Sequence, residues 1–218
     1  MFKIYYNYLL IFLILLGSIE INAQEKKWKT ATSKDKEIEV KYSIQKTQNE
    51  EGKKRFLMEY EAVTMTDMDL DFLEEYLSNA DNYKFFLEST TESKNLEQLN
   101  DSSWMMYALF DAPWPAPNSD LVQKYMINRT KNSLIVEGVA EPQYIEDSEV
   151  YRMQHYDISF IFEQNESGEV QFTLKASFRP SGSVPRWMLG TWFPKGPMRM
   201  IDKLITHASN QEHYAFVE

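Results

Sequence analysis

The stretch that decides the fold runs from Ser183 to His213 and begins Ser183-Val-Pro-Arg-Trp-Met-Leu-Gly-Thr-Trp192. Ser183 can cap the start of a helix, and Pro185 suits the first turn, where a missing N–H is tolerated. Its larger residues recur at the spacing of one helical face: Val184, Trp187, Met188, Thr191 and Trp192. The pattern therefore predicts an amphipathic helix near the C-terminus.

The same spacing continues beyond an interruption, Phe193-Pro-Lys-Gly-Pro197. The apolar positions of this second part are Met198, Ile201, Ile205 and Ala208. Val184 and Met198 are fourteen residues apart, which is close to four whole helical turns. We therefore expect the two halves to share one face, and to bury it against a sheet.

Most of the upstream sequence is typical of short antiparallel strands. Alternating residues predict a first hairpin from Ile38 to Met65, and Thr66 can cap a helical insert that buries Leu70, Leu73 and Leu77. Six further strands are predicted over residues 88–99, 103–111, 121–129, 133–140, 150–162 and 169–179. The fold class is α+β, with one curved antiparallel sheet in a single domain and a long C-terminal helix.

Composition excludes several classes of function. The chain has 218 residues and a formal charge of −10, which argues against nucleic acid as a partner because phosphate binding needs a concentrated basic patch. It contains no cysteine, so disulfides and thiolate catalysis are excluded.

The first 23 residues differ from the rest of the chain. Residues 8–17 form an apolar run that is shorter than the roughly 20 residues a membrane span needs. We interpret residues 1–23 as a cleaved secretory signal peptide and residues 24–218 as the mature domain, which would be periplasmic or secreted. The alternative is a protein anchored in the membrane through residues 8–17.

A helix laid across a curved sheet can cover a packed core or enclose a cavity. Methionine and aromatic side chains suit an adaptable apolar pocket, although the same pattern is also typical of an ordinary core. The candidate ligand-binding residues from this pattern are Trp104, Met106, Trp114, Trp187, Met188, Trp192, Met198 and Ile201.

Three segments resemble the START lipid-transfer domain family: Asp111-Ala-Pro-Trp-Pro-Ala-Pro-Asn-Ser-Asp-Leu-Val122, Ser183-Val-Pro-Arg-Trp-Met-Leu189 and Gly196-Pro-Met-Arg-Met-Ile-Asp-Lys-Leu204. The likeness is to the bacterial, exported branch of that family, within the Bet v 1-like (SRPBCC) helix-grip superfamily, and it covers Trp28 to His213. It implies a sheet that grips the long helix around a tunnel for one lipid or other hydrophobic molecule. The helix and adjacent loops would then act as a lid.

The resemblance also implies where a polar anchor would lie. Sterol-binding members place a buried acid and base in the tunnel, the base late in the strand that here begins at Asp120. This chain has Tyr125 near that position, so sterol binding is not implied. Tyr125 joins the candidate ligand-binding residues, with Arg152 and Arg179 as alternative anchors.

No motif for catalysis or metal binding was found. The sequence lacks a His-Glu-x-x-His zinc motif and a Gly-x-Ser-x-Gly nucleophile elbow, so we predict no catalytic residues, metal or cofactor. The predicted function is binding and transport of a lipid by a monomer that contacts membranes transiently. One alternative is a superfamily enzyme, a cyclase or hydrolase, acting on a hydrophobic substrate in the same cavity; another is a solid-cored interaction protein.

Overall fold

A computed structural model of the chain describes residues 26–35, 37–48, 52, 54–146, 148–182 and 184–215. The predicted signal peptide, residues 1–23, and the predicted helix cap Ser183 lie outside the described residues. The described residues form ten strands: β1 (Lys29–Thr32), β2 (Glu39–Gln48), β3 (Lys54–Thr66), β4 (Thr90–Asn100), β5 (Ser103–Phe110), β6 (Ser119–Thr130), β7 (Ser133–Ala140), β8 (Tyr151–Arg152), β9 (Tyr156–Gln164) and β10 (Val170–Phe178).

Four α-helices accompany the strands in the part of the chain that the structure describes. They are α1 (Leu70–Ser78), α2 (Tyr83–Phe86), α3 (Arg186–Trp192) and α4 (Lys195–Ala215), with a 3₁₀ turn at Ala80–Asn82 between the first two. Within the described ranges, none of the helices has the length and apolar character needed to cross a bilayer.

The strands form one sheet in the order β1-β2-β3-β10-β9-β7-β6-β5-β4, and β8 pairs with β6 off this path. Neighbours along the path are antiparallel, whereas β8 is parallel to β6. The sheet curves around α4, so the predicted α+β helix-grip architecture is confirmed.

The structure differs from the sequence prediction at three places. Strand β1 was not predicted, and residues 150–162 form two strands instead of one. The break follows Arg152, where the chain leaves its pairing with β6 and then resumes as β9 between β7 and β10. Helix α1 is capped by Asp69, whose Oδ1 accepts the N–H of Asp71 at 2.8 Å; Thr66 is the last residue of β3 instead.

The C-terminal segment forms two helices that do not share one continuous face. Helix α3 begins at Arg186 with Pro185 as its N-cap, so Val184 precedes the helix. The backbone is extended at Phe193 (φ −85°, ψ 145°), which breaks the helical phase before α4. The predicted single stripe is therefore wrong for α3, although Ile201 and Ala208 of α4 are fully buried as expected.

One end of the concave face is packed solid, and we call it the packed end. The rings of Trp104 and Tyr125 stack at 5.4 Å, and Tyr83 meets Tyr125 at 4.9 Å. Phe86 packs edge-on against Phe160 at 5.7 Å. All five side chains are almost completely buried, so this end has no room for a guest.

Candidate ligand-binding site

An apolar cavity of about 260 Å³ lies at the other end of the same strands. The strand register shows this: Trp104 pairs with Tyr125 at the packed end, whereas Phe110, six residues further along β5, pairs with Ser119 and lines the cavity. Phe178, at the end of β10, and Met58 of β3 also pair and complete its floor.

The other walls come from the proline-rich corner and from the C-terminal helices. Pro113 and Pro117 contribute the corner wall, Met188 and Trp192 come from α3, and Met200 comes from α4. Proline prevents regular strand pairing at the corner, so this segment stands away from the sheet and leaves space beneath it.

Helix α3 covers the cavity but is held mainly at its C-terminal end. Leu189 is its one buried residue. At the junction with α4, Trp192 meets Phe193 at 4.7 Å and Phe193 stacks on Tyr42 at 4.6 Å. Gly196 permits this arrangement, because a Cβ there would overlap the Trp192 ring. The N-terminal end of α3 buries little surface and is the part that can open at low cost.

Polar groups in the cavity are few, and Glu88 is the principal one. Its carboxylate accepts from Arg199 Nη2 at 2.6 Å and from Lys203 Nζ at 2.9 Å. Burial alone would raise the pKa of Glu88, but the hydrogen bonds and charges of Arg199 and Lys203 outweigh burial and lower it. The carboxylate is therefore ionised and fully engaged at neutral pH.

Two buried phenols lie beside the cavity. The Tyr60 hydroxyl donates to the Met200 sulfur at 3.5 Å, and burial is the main cause that raises the pKa of both Tyr60 and Tyr156. Both phenols are neutral at physiological pH. General acid–base catalysis needs groups that exchange protons near the working pH, and neither these phenols nor the paired Glu88 meets that condition.

The described residues contain no group of three or more His, Asp or Glu side chains that could hold a metal ion. His207 lies between α1 and α4, with Nδ1 2.8 Å from the Tyr76 hydroxyl and its ring stacked on Phe85 at 4.1 Å. His155 Nε2 is 2.9 Å from Ser177 Oγ. Both imidazoles contact residues outside the cavity lining.

The structure divides the predicted ligand-binding residues into three groups. Met188 and Trp192 line the cavity. Trp104, Met106, Tyr125 and Ile201 are fully buried in the core, and Met198 packs half-buried against it. The third group, Trp114 and Trp187, is 91% and 65% exposed. Their predicted inward orientation is wrong, because the corner and α3 both turn these rings towards solvent.

The predicted polar anchors do not line the cavity. Tyr125 donates its hydroxyl to Gln123 at 3.0 Å and stacks in the packed end. Arg152 forms a two-pronged ion pair with Asp120, at 2.7 and 2.9 Å, and also binds the carbonyl of Pro142 at 2.9 Å. Arg179 is exposed and directly follows the last residue of β10.

Sequence reasoning missed Glu88, Arg199, Met58, Tyr156 and Phe178. Met58, Tyr156 and Phe178 are neighbours across β3, β10 and β9, because Phe178 pairs with both of the others, and only the strand register reveals this. Glu88 was placed in a predicted strand. The sequence did contain a feature that could have indicated an acidic partner. Arg199 and Lys203 are four residues apart beside the apolar stripe of the helix, so their positive side chains lie close together and can bind one common carboxylate.

Comparison with known proteins shows that the fold is similar to that of lipid-transfer proteins. No protein-family model matches the sequence. An uncharacterized protein of Pseudomonas aeruginosa is 23% identical over 192 residues, covering 87% of this chain and 91% of its own. The crystal structure of a STAR-related lipid transfer protein from Xanthomonas axonopodis superposes with a TM-score of 0.67 and 18% identity, over 84% of this chain and 98% of the other.

Two further structures extend the comparison. Human StAR-related lipid transfer protein 5 has a TM-score of 0.65 at 14% identity, over 93% of this chain and 94% of that one. A Streptomyces aromatase/cyclase has a TM-score of 0.52 at 10% identity, over 71% of this chain and 95% of that one. These likenesses show that the chain has the START-like helix-grip fold.

Proposed function

We propose that the protein binds a lipid or other hydrophobic small molecule in the cavity under α3 and transports it. One observation carries this proposal: an apolar cavity of about 260 Å³ lies under a helix that buries a single side chain, Leu189. Ligand pockets commonly measure about 300–1,000 Å³, so this cavity is at the small end. Outward movement of α3 would enlarge it to take a longer chain.

The character of the lining supports binding without chemistry. Catalysis requires at least two positioned titratable groups that face the substrate. Glu88 is neutralised by Arg199 and Lys203, and Tyr156 is a buried neutral phenol. The remaining described lining is dominated by methionine, proline and aromatic side chains, which favour an apolar guest over a reaction.

The alternative is an enzyme of the same superfamily, a cyclase or hydrolase acting on a hydrophobic substrate in this cavity. Its support is the similar fold of the Streptomyces aromatase/cyclase. The two functions differ in what happens to the bound molecule. A carrier releases its ligand unchanged, whereas a cyclase or hydrolase releases a product of altered mass or bond pattern.

Transient contact with a membrane is part of the proposal. Trp114 and Trp187 are the two most exposed large hydrophobic residues described. Each is next in sequence to a residue that lines the cavity, Pro113 and Met188 respectively, which supports these two residues as the membrane contact. Tryptophan favours the membrane interface, where its ring is apolar and its N–H is hydrated.

Export through residues 1–23 completes the proposal and places the mature chain in the periplasm or outside the cell. Its support is the apolar run at 8–17, which is too short for a typical span. Intact mass of the protein purified from its own host would test this, because a cleaved chain begins near Gln24 and an anchored chain retains Met1.

The test of binding uses a variant that fills the cavity. Ala116→Trp adds an indole to the cavity wall, and Thr191→Trp adds the same ring to the exposed side of α3 as the matched control. Lipid extracts of the purified proteins would be compared by mass spectrometry. We expect a hydrophobic ligand in the wild type and in Thr191→Trp, and its loss in Ala116→Trp. Equal ligand content in all three proteins would contradict the proposal.

A further inference from the structure

A second, polar depression of about 550 Å³ adjoins the apolar cavity. It lies between the end of β2, the start of β3, strand β8 and the link from β10 to α3, and we call it the basic groove. Its guanidinium groups belong to Arg55, Arg152 and Arg179, and no Asp or Glu is among its described lining residues. This is unexpected in a chain whose formal charge is −10.

Among the residues that the structure describes, two of these arginines have no acidic partner. Arg152 is neutralised by Asp120 at 2.7 Å. Arg55 donates to the backbone carbonyl of Lys54 at 3.1 Å, and within the described ranges neither Arg55 nor Arg179 forms an ion pair. A smaller depression of about 190 Å³ shares Arg55 and adds Lys54 and Arg186, so the positive region continues to the start of α3.

Two hydroxyl groups in the groove also have no hydrogen-bond partner in the described part of the chain. Thr47 Oγ1 and Ser181 Oγ are shielded from solvent, and neither hydrogen-bonds to any described residue; both residues line the groove. Buried hydroxyls are normally hydrogen-bonded, so these two atoms indicate that an external partner belongs here. Hydroxyl groups and arginine side chains can both donate hydrogen bonds, so both are suited to binding an anionic oxygen.

The groove and the apolar cavity share a wall. Pro180 and Ser181 line both spaces, and they belong to the short link that leads into α3. A single amphiphilic molecule can therefore place its apolar part beneath α3 and its polar end in the groove, with the Pro180–Ser181 link between the two.

We infer that the basic groove binds the phosphate group of an anionic amphiphile whose apolar part occupies the cavity under α3. This inference rests on the proposed function. Arg55 and Arg179 supply charge-assisted hydrogen bonds to the phosphate oxygens. A planar guanidinium group is suited to phosphate because it can donate two parallel hydrogen bonds to two of its oxygens. Ser181 lies at the junction, where the head group meets the apolar chain.

The experiment compares four probes by titration calorimetry: dihexanoyl phosphatidic acid, dihexanoylglycerol with the same chains, glycerol 3-phosphate and inorganic phosphate. The variant is Arg55→Gln with Arg179→Gln. Its charge-matched control is Lys29→Gln with Lys131→Gln, two exposed positions outside the groove lining. Thermal unfolding of each protein checks that it is folded, and Arg55→Lys with Arg179→Lys tests rescue by charge.

We expect the arginine variant to bind dihexanoyl phosphatidic acid at least about tenfold more weakly than wild type, since two charge-assisted contacts are lost. The lysine rescue should recover part of the loss, the control should bind as wild type does, and dihexanoylglycerol should bind all variants equally. Added salt should weaken only the phosphate-bearing probes.

Each contrary result has a separate meaning. If both lipids bind and the arginine variant leaves phosphatidic acid binding unchanged, the groove inference is overturned and the proposed function stands. If neither lipid binds but glycerol 3-phosphate or inorganic phosphate binds through the arginines, the groove is a site for free phosphate, which overturns the amphiphile and the proposed function together. If no probe binds, both are wrong.

Discussion

The two ends of the concave face are built from the same strands and similar residue types, yet one is solid and the other hollow. At the packed end, α1 and α2 add Tyr76, Tyr83 and Phe86 to the sheet's own aromatic residues. At the cavity end the covering element is α3, which buries only Leu189, together with the proline-rich corner.

This difference shows that composition does not decide between core and cavity. A Met- and aromatic-rich face becomes a core where a second layer of helices supplies complementary side chains at close-packed density. It becomes a binding space where the covering helix is short and interrupted. The four predictions below test this contrast between the ends, starting with the largest expected effect.

Removal of a packed-end ring should cost the most stability. Phe86 is completely buried and meets Tyr83 at 5.0 Å, so Phe86→Ala should lower the free energy of unfolding by about 3–5 kcal/mol through lost burial and a residual cavity. Met188→Ala at the cavity end should cost less than about 1 kcal/mol. Urea denaturation of both variants provides the comparison, and equal losses would show that the ends are not packed differently.

The two ends should also respond oppositely to a single added methyl group. At Gly138 a Cβ would lie 2.6 Å from Tyr125 Cζ, so Gly138→Ala should destabilise the protein by about 1–3 kcal/mol. At Gly190 in α3 a Cβ meets nothing within 4 Å, and Gly190→Ala should stabilise the protein by about 0.5–1 kcal/mol. Thermal unfolding measures both changes. Destabilisation at Gly190 would mean that α3 is more tightly packed than its exposure indicates.

Glu88 links the cavity to α4, and its contribution should depend on pH. Its folded-state pKa is lowered from the ordinary value of 4.5, so its stabilisation is present above that value and is lost as the pH falls through the folded pKa. Glu88→Gln should cost about 1 kcal/mol at pH 7, with a smaller difference from wild type at pH 3. Glu92→Gln, in an exposed pair with Lys94, is the control and should change stability little at either pH.

The smallest effect on stability is expected for the exposed tryptophans. Trp114→Ser with Trp187→Ser should change the free energy of unfolding by no more than about 0.5 kcal/mol, since surface substitutions rarely do more. The same variant should reduce co-sedimentation with phosphatidylcholine vesicles. Wild-type vesicle binding in the variant would exclude these rings as the membrane contact.

Sequence periodicity was sufficient to predict most strands of the sheet, because the alternation of apolar and polar residues within a strand is a local feature of the sequence. Strand β7 was predicted with its observed bounds, Ser133–Ala140, and the buried side of α1 was predicted through Leu73 and Leu77. The single strand predicted over residues 150–162 was wrong because β8 pairs with β6 whereas β9 pairs with β10 and β7. Local sequence pattern carries no information about which strands pair.

The site was less predictable than the fold. Trp187 has the spacing of an inward-facing residue, but its side chain is 65% exposed. Helix α3 is short, and Trp187 lies on the side of it that faces solvent. Tyr125 was a candidate anchor, but Gln123 satisfies its hydroxyl within the packed end. Both errors arise because helical or strand spacing assigns residues to a face without determining what covers that face.

The sequence by itself therefore determined the α+β class, the antiparallel hairpins, the acidic charge and the amphipathic character of the C-terminal helix. Each of these follows from local periodicity or composition. Only the tertiary structure decided that one end is filled, that the other holds a cavity, and that Glu88 meets Arg199 across 111 positions of the chain. The physical reason is that a cavity is what remains when elements distant in sequence pack incompletely, and no local pattern encodes the space between them.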